Sequence, residues 1–524
     1  MLALPFRSAK DLAGAIRRRK LGALELLDLY VARMETFNPT VNAIVVTDLE
    51  AARKRARAAD RALARGQVWG PLHGVPMTIK ESYDVVGMPT TWGVPELRNN
   101  FPTQNALAVD RLLAAGVVLF GKTNVPIHLA DWQSFNAIHG TTNNPWDVTR
   151  TPGGSSGGAA AALATGMTAL EAGSDIGSSI RNPAHYCGLF GLKPSWAIVP
   201  PRGQAMPGRI TVSDIDVCGP LARSADDLDL ALAAMAGPDE IDGVGWKLAL
   251  PSPTKKSLRE YRVAVMLTSP ESEVDREVQD RLQALADFLA KKRAKVSDRA
   301  RPAVDMAEAH RVYISLLRGA TSYRITPEEF ATQLDDARRL RDDPSYYARM
   351  ARANTMHHKD WLALDEARQR MRWQWKAFFD EWDLLLCPVA ASAAFPHQQS
   401  GQRWERTIRV NGKDVPTTDQ LFWAGYTGMA YLPSAVAPCG RTPAGLPVGV
   451  QIVAPQYGDR LAIHFARLLE REFQPFIPPD DYLGGPGMAP RNREAKGATP
   501  PSDSPGQRSA RPGKPVARLD SGAS

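Results

Sequence analysis

Apolar positions between Ser8 and Thr36 recur at helical spacing in two pieces, Leu12 and Ile16, then Leu24, Leu27, Val31 and Met34, and Gly22 marks the break. After them VNAIVV (41–46) is a β-branched run that predicts a strand. PLHGVPMTIKESYDV, AAGVVLFGKTNVP and GLFGLKPSWAIVP follow, each a short apolar run punctuated by Gly and Pro. From Glu271 to about Glu381 the pattern turns helical and charged (VQDRLQALADFLAKKR; DWLALDEARQRMRWQWKAFFDEW), and strand-like pieces return at LLLCPVA (384–390) and PVGVQIVAP (447–455). This alternation predicts an α/β fold with a largely buried sheet, and the helical block 271–381 is expected to cover that sheet rather than fold alone. No internal repeat is visible.

Composition narrows the class. The 524 residues, 44% hydrophobic and 23% charged, suit one large folded catalytic domain over 1–480. Residues 485–524, rich in Pro, Gly, Ser and Arg without apolar periodicity, predict a disordered tail. The apolar run ahead of Arg7 and Lys10 is too short for a signal-peptide core, and no stretch reaches the roughly 18 apolar residues of a membrane span. A cytoplasmic protein without membrane attachment is expected. Cys187, Cys218, Cys387 and Cys439 form no CxxC pair, so buried free thiols are expected rather than a metal site or disulfides. The net charge of +8 raises the question of nucleic acid. Part of it sits in the tail, and AARKRARAADRALARG (51–66) reads as a solvated helix face without interleaved aromatics, so no nucleic-acid partner is expected.

One motif misleads. GVVLFGKT (116–123) matches the phosphate-loop pattern GxxxxGK[ST], but its middle, Val-Val-Leu-Phe, has the composition of a buried strand, and Pro126 interrupts the helix that should follow. TPGGSSGGAAAALATG (151–166) is different, because a flexible linker would not run straight into a strong helix former. It predicts a tight loop feeding a helix N-terminus, with serines suited to an N-cap.

The stretch SDIGSSIRNP (174–183) holds the candidate chemistry. Gly177 permits a turn in which the N–H groups of Ile176, Gly177 and Ser178 converge on a developing oxyanion, with Ser179 as the attacking hydroxyl. The other reading of the same residues is a turn whose serines bond their own backbone. Asp175 and Arg181 are expected to brace the turn as an ion pair. None of His73, His128 and His185 has a carboxylate partner at a recognisable spacing, so each reads as structural or surface. Lys80, ending the apolar run GVPMTIK, is the best-placed alternative base, provided that burial lowers its pKa from ~10.4.

GVPMTIKES, TPGGSSGG and SDIGSSIRNPAHYCGLFGLKP together resemble the amidase signature family of serine hydrolases, as do AAGVVLFGKTNVP, NNPWD, CGPLARSADDLDLAL and PVGVQIVAP. The resemblance spans about residues 8 to 475. It implies a large mixed β-sheet between layers of helices, with a Ser-Ser-Lys triad of Lys80 as base, Ser155 as bridging serine and Ser179 as nucleophile. A cis peptide at Gly154-Ser155 is implied too. Ser178 stands where many members have glycine, and Glu81 where aspartate is frequent. Ser156 and Ser178 are the rival hydroxyls. The implied activity is cleavage of a small-molecule carboxylic amide through a Ser179 acyl-enzyme, with no metal or organic cofactor; a homodimer is compatible with it. IHLADWQSFN (127–136) resembles a substrate-facing region, where Leu129 and Trp132 suggest an apolar or aromatic acyl group. Two other readings stay open: the amidase subunit of a tRNA-dependent amidotransferase, and a noncatalytic scaffold of the same fold.

Overall fold

The Ser8 hydroxyl accepts the Asp11 N–H and opens the first helix, Ala9–Arg17; the second, Ala23–Val41, starts after Gly22, where the apolar pattern breaks. That second helix runs five residues beyond Thr36, through Pro39, and stops at Asn42 in the left-handed region (φ 52°). The strand expected over 41–46 is therefore only Ile44–Thr47. The Asn38 side chain explains the shortening. Its amide oxygen accepts from the N–H groups of Ala43 and Ile44, at 2.8 and 2.9 Å, before pairing with a neighbouring strand can begin. The basic segment near residue 55 forms the helix Leu49–Ala64, which buries a stripe of Ala52, Ala56, Ala59 and Ala62 and leaves most of its cations outside.

The computed structural model describes residues 2–484, and these lie in one compact unit; the segment expected to be disordered, 485–524, is outside the described residues. A three-stranded sheet places Val118–Thr123 between Ile44–Thr47, antiparallel, and Pro76–Lys80, parallel. Val118–Thr123 is the core of the GVVLFGKT segment and is buried throughout. Lys122 reaches from it to the Pro89 carbonyl at 2.5 Å and the Thr90 hydroxyl at 2.9 Å, so this lysine holds a loop rather than a phosphate.

The main sheet has eight strands, in the order Lys295–Ser297, Arg262–Val265, Leu384–Pro388, Pro447–Val453, Ser434–Arg441, Phe190–Lys193, Val217–Ala222 and Glu171–Asp175. The first three pair in parallel and the rest antiparallel, so the sheet is mixed. Its strands from Leu384 to Asp175 are almost wholly buried, as expected of a sheet covered on both faces. The helix Arg276–Lys291 packs on the sheet, whereas Tyr346–Asn354 and His358–Glu381 pack on Met306–Thr321. Lys295–Ser297 adds an edge strand inside the segment read as helical, because three residues are too few to show a period. All four cysteines are buried and free. Among the described residues no helix is long and apolar enough to cross a membrane.

Candidate active site

Three chain segments meet beside the Glu171–Asp175 edge of the main sheet. Lys80 is the last residue of the strand Pro76–Lys80 and is fully buried. The glycine-serine loop enters the buried helix Gly157–Ala164 after a cis peptide at Gly154-Ser155. Glycine is required here by close approach: a Cβ at Gly154 would lie 2.4 Å from the Asp131 carbonyl, and one at Gly158 2.3 Å from the Asn124 nitrogen. The expected serine N-cap is not formed by the loop itself. The Ser156 hydroxyl points to the Ser174 carbonyl at 3.5 Å, and the Gly157 N–H is taken instead by the Ser134 hydroxyl at 3.0 Å, from a remote segment.

The third segment is the turn after Asp175. Arg181 meets Asp175 through two contacts, at 3.0 and 2.9 Å, and both side chains are inaccessible to solvent. The same carboxylate accepts the N–H groups of Ser178, Ile180 and Arg181 at 2.9, 3.1 and 3.2 Å. Burial alone would raise its pKa, but the Arg181 guanidinium and these donors outweigh it and hold the Asp175 carboxyl at about 2. Asp175 is thus a permanently charged brace. Ser178 accepts the left-handed conformation (φ 74°) that the turn demands. Its N–H, expected at the oxyanion site, is committed to Asp175, whereas no hydrogen bond among the described residues takes the N–H of Ile176, Gly177 or Ser179. The turn therefore offers Ser179 where Ser178 was expected, because closing the Asp175 turn consumes one donor.

The Lys80 ammonium nitrogen lies 2.7 Å from the Ser155 Oγ and 3.0 Å from the Ser174 Oγ. Burial lowers its pKa to about 7, even though Asp216 and Asp175 act in the opposite direction. Two other buried lysines are also depressed chiefly by burial, Lys193 to about 7 and Lys122 to about 8, but their partners are carbonyls and a threonine, not a serine. Ser179 adjoins the loop through its carbonyl, which accepts the Ser156 N–H at 3.1 Å. Its own hydroxyl bonds no group among the described residues and faces a cavity of about 510 Å³. The structure thus joins Lys80 to Ser155 directly, and sets Ser179 at the opening without a bond between the two serine hydroxyls. Sequence reasoning missed two residues beside Lys80: Ser174, which bonds it, and Gln204, which bonds Ser174. Gln204 donates to both the Ser174 and Ser82 hydroxyls, at 3.0 and 3.1 Å. Ser174 opens the SDIGSSIRNP stretch, while Gln204 sits in an irregular loop that gives no local signal.

Leu129 and Trp132 both line the cavity with Ile176, Gly177 and Ser179. Trp132 also donates its indole N–H to the Gly177 carbonyl at 2.7 Å, so it braces the turn. Leu129 and His128 have left-handed backbone angles (φ 56° and 53°) at the cavity wall, a sparsely populated conformation common at ligand sites. His185 is structural: buried, driven to a pKa of about 4 by burial, accepting from the Gly449 N–H at 2.7 Å and lying 3.1 Å from the Ser392 carbonyl. Glu81 accepts the Thr91 and Trp92 N–H groups at 2.5 and 2.9 Å, shaping the loop that follows Lys80. A larger cavity of about 810 Å³, around His310 and Arg349, contains none of these groups.

A lysine able to be neutral at physiological pH, bonded to one serine beside a turn that offers free backbone donors around another, defines a site suited to acyl transfer. A sequence profile of the Amidase family matches residues 25–463. Indoleacetamide hydrolase of Bradyrhizobium diazoefficiens is 32% identical, across 88% of this chain and 86% of that protein. A glutamyl-tRNA(Gln) amidotransferase subunit of Synechococcus elongatus is 30% identical, across 88% of this chain and 97% of its own. A solved structure described as an amidase superposes with a TM-score of 0.72 at 26% identity, covering 89% of this chain and 99% of that one. The chain belongs to the Amidase family and is an amide-hydrolysing enzyme.

Proposed function

We propose that this enzyme cleaves a small carboxylic amide through an acyl-enzyme on Ser179, with Ser155 and Lys80 as a proton relay. Neutral Lys80 takes the proton of the Ser155 hydroxyl, Ser155 takes that of Ser179, and Ser179 Oγ attacks the amide carbonyl. The carbonyl oxygen gains the negative charge within reach of the free N–H groups at 176, 177 and 179. The relay then reverses: the proton returns through Ser155 to the leaving nitrogen, the C–N bond breaks, and ammonia or an amine departs. Water repeats the attack on the ester and releases the acid. The observation that carries this reading is the 2.7 Å contact between Lys80 and Ser155, at a lysine held near pKa 7. Ser156 and Ser178 fit the roles less well, because the Ser156 hydroxyl is turned to the Ser174 carbonyl and the Ser178 hydroxyl is buried without a partner.

The lining by Leu129 and Trp132 favours an amide with an apolar or aryl portion, in line with a relative named for hydrolysis of indoleacetamide. The test is labelling by a fluorophosphonate probe, expected in the wild type and lost in Ser179→Ala, together with ammonia release from a panel of aliphatic, aryl-alkyl and amino-acid amides. Labelling that survives Ser179→Ala would move the nucleophile elsewhere. A second reading, the amidase component of a tRNA-dependent amidotransferase, draws on the likeness to the Synechococcus protein. It requires a companion protein that co-purifies and an activity confined to glutamine.

A further inference from the structure

The cavity in front of Ser179 has both apolar and cationic lining. Four arginines line it: Arg318, Arg324, Arg403 and Arg406. Arg406 is matched by Asp131 at 2.6 Å. The other carboxylate of the lining, Glu329, is exposed and occupied in a capping box, accepting the Thr326 N–H at 2.8 Å. Among the described residues no carboxylate forms an ion pair with Arg318, Arg324 or Arg403. Arg324 is instead held by the His128 carbonyl at 2.8 Å and the Tyr323 hydroxyl at 3.2 Å.

Arg318 and Arg403 are the more telling pair. Arg318 comes from the helix Met306–Thr321 and Arg403 from the short turn Arg403–Glu405, yet both donate to one phenol, that of Tyr346. Their guanidinium carbons lie 5.4 and 5.8 Å from the Tyr346 ring centroid. Two like charges gathered on one hydroxyl repel each other, and Arg318 loses hydration as well, so its pKa is lowered by burial first and by Arg403 besides. The Arg318 Nε–H is buried with no partner at all. Tyr346 and the Ala130 carbonyl, which accepts from Arg403 at 2.6 Å, hold the two guanidiniums in place but leave their charges without a counter-charge, which an anion would supply. The planar fork of a guanidinium matches a carboxylate.

We propose that Arg318 and Arg403, gathered on Tyr346 in the lining of the Ser179 cavity, form a carboxylate subsite, so that the substrate is an amide bearing a free carboxylate as well as an apolar portion. The proposal rests on Ser179 marking the substrate cavity. The apolar wall of Leu129, Trp132, Leu317 and Leu421 then holds the body of the substrate while the arginines fix its charged end. Tyr346 is a positioning residue, acting through the two guanidiniums it holds.

The test uses the purified full-length enzyme and two matched series of p-nitroanilides, dicarboxylic acid monoanilides of increasing length and neutral acyl anilides of the same length. At the best-fitting length the carboxylate series is expected to be favoured about 10- to 100-fold in kcat/KM, the usual range for hydrogen bonds to a charged group. In Arg403→Gln, with its circular dichroism spectrum checked against wild type, that ratio should fall toward one. Preference for the neutral series at every length, with Ser179 still labelled by the probe, overturns the subsite and leaves the hydrolase reading standing. If neither series is turned over and Ser179 is not labelled, the hydrolase reading fails, and calorimetric binding of glutarate to the wild type decides the subsite without any turnover. Binding that disappears in Arg403→Gln supports it, and no binding to wild type overturns it.

Discussion

The two walls of the Ser179 cavity are built on opposite principles. On the inner side, Asp175 and Arg181 neutralise each other, and burial lowers Lys80 to a pKa of about 7 while it bonds Ser155. On the other side, Arg318 from the helical block and Arg403 from the later turn Arg403–Glu405 meet at Tyr346, and among the described residues neither forms an ion pair with a carboxylate. The inner wall balances its charges within the chain, which suits chemistry that must not vary. On the carboxylate-subsite proposal, the substrate's own anion answers Arg318 and Arg403, which suits selection among substrates. The same sheet-bound machinery can in this way serve many amides while the opposite wall changes the choice.

The comparison can be broken at several points. Ser179→Ala should have the largest effect, a loss of roughly 10⁴-fold or more in kcat with the fold intact, because removing a nucleophile disables the whole relay. Lys80→Ala should lower kcat/KM by about 10²- to 10⁴-fold at neutral pH, the usual contribution of a positioned base. Wild-type kcat/KM should show an acid limb near pH 7: the protonated lysine cannot accept a proton, so activity declines below that value and levels off above it. Substitution of Lys80 should erase the limb, and a limb that persists would assign the base to another group. Asp175→Asn should strike stability before chemistry, costing about 3–5 kcal/mol in denaturant unfolding because it strands Arg181 in the interior. A variant as stable as wild type would mean that water reaches the pair. The smallest change is Ser178→Gly, expected to raise stability by up to about 1 kcal/mol by relieving a left-handed serine, with turnover retained. A large loss of activity there would give the buried Ser178 hydroxyl a role.

Much of the inner wall was legible beforehand because its signals are local. Glycines that cannot carry a Cβ, the run of alanines after them, and an apolar strand ending in lysine are all visible within a dozen residues. Where the sequence reading missed, the cause was a partner from far along the chain. Ser134 caps the helix after the glycine-serine loop in place of the loop's own serines, and Asn38 trims the first strand. Asp175 consumes the Ser178 N–H that a reading of the turn alone had left free. The Arg318–Arg403 pair left no trace in the sequence, since Arg318 is one of many cations in a helix-rich segment and Arg403 lies well beyond it in a short turn, until the fold brings both to Tyr346.

The sequence by itself determined the class of fold, the segments that carry the candidate chemistry, and Lys80 and Ser179 as residues worth examining, because periodicity and turn chemistry depend only on near neighbours; the bridging role of Ser155 came only from the resemblance to the amidase signature family. The tertiary structure decided which of three buried lysines meets a serine, which hydroxyl is left facing a cavity, and where positive charge stands unanswered. Burial and counter-charge are properties of the assembled interior, and they set proton affinity and selectivity alike.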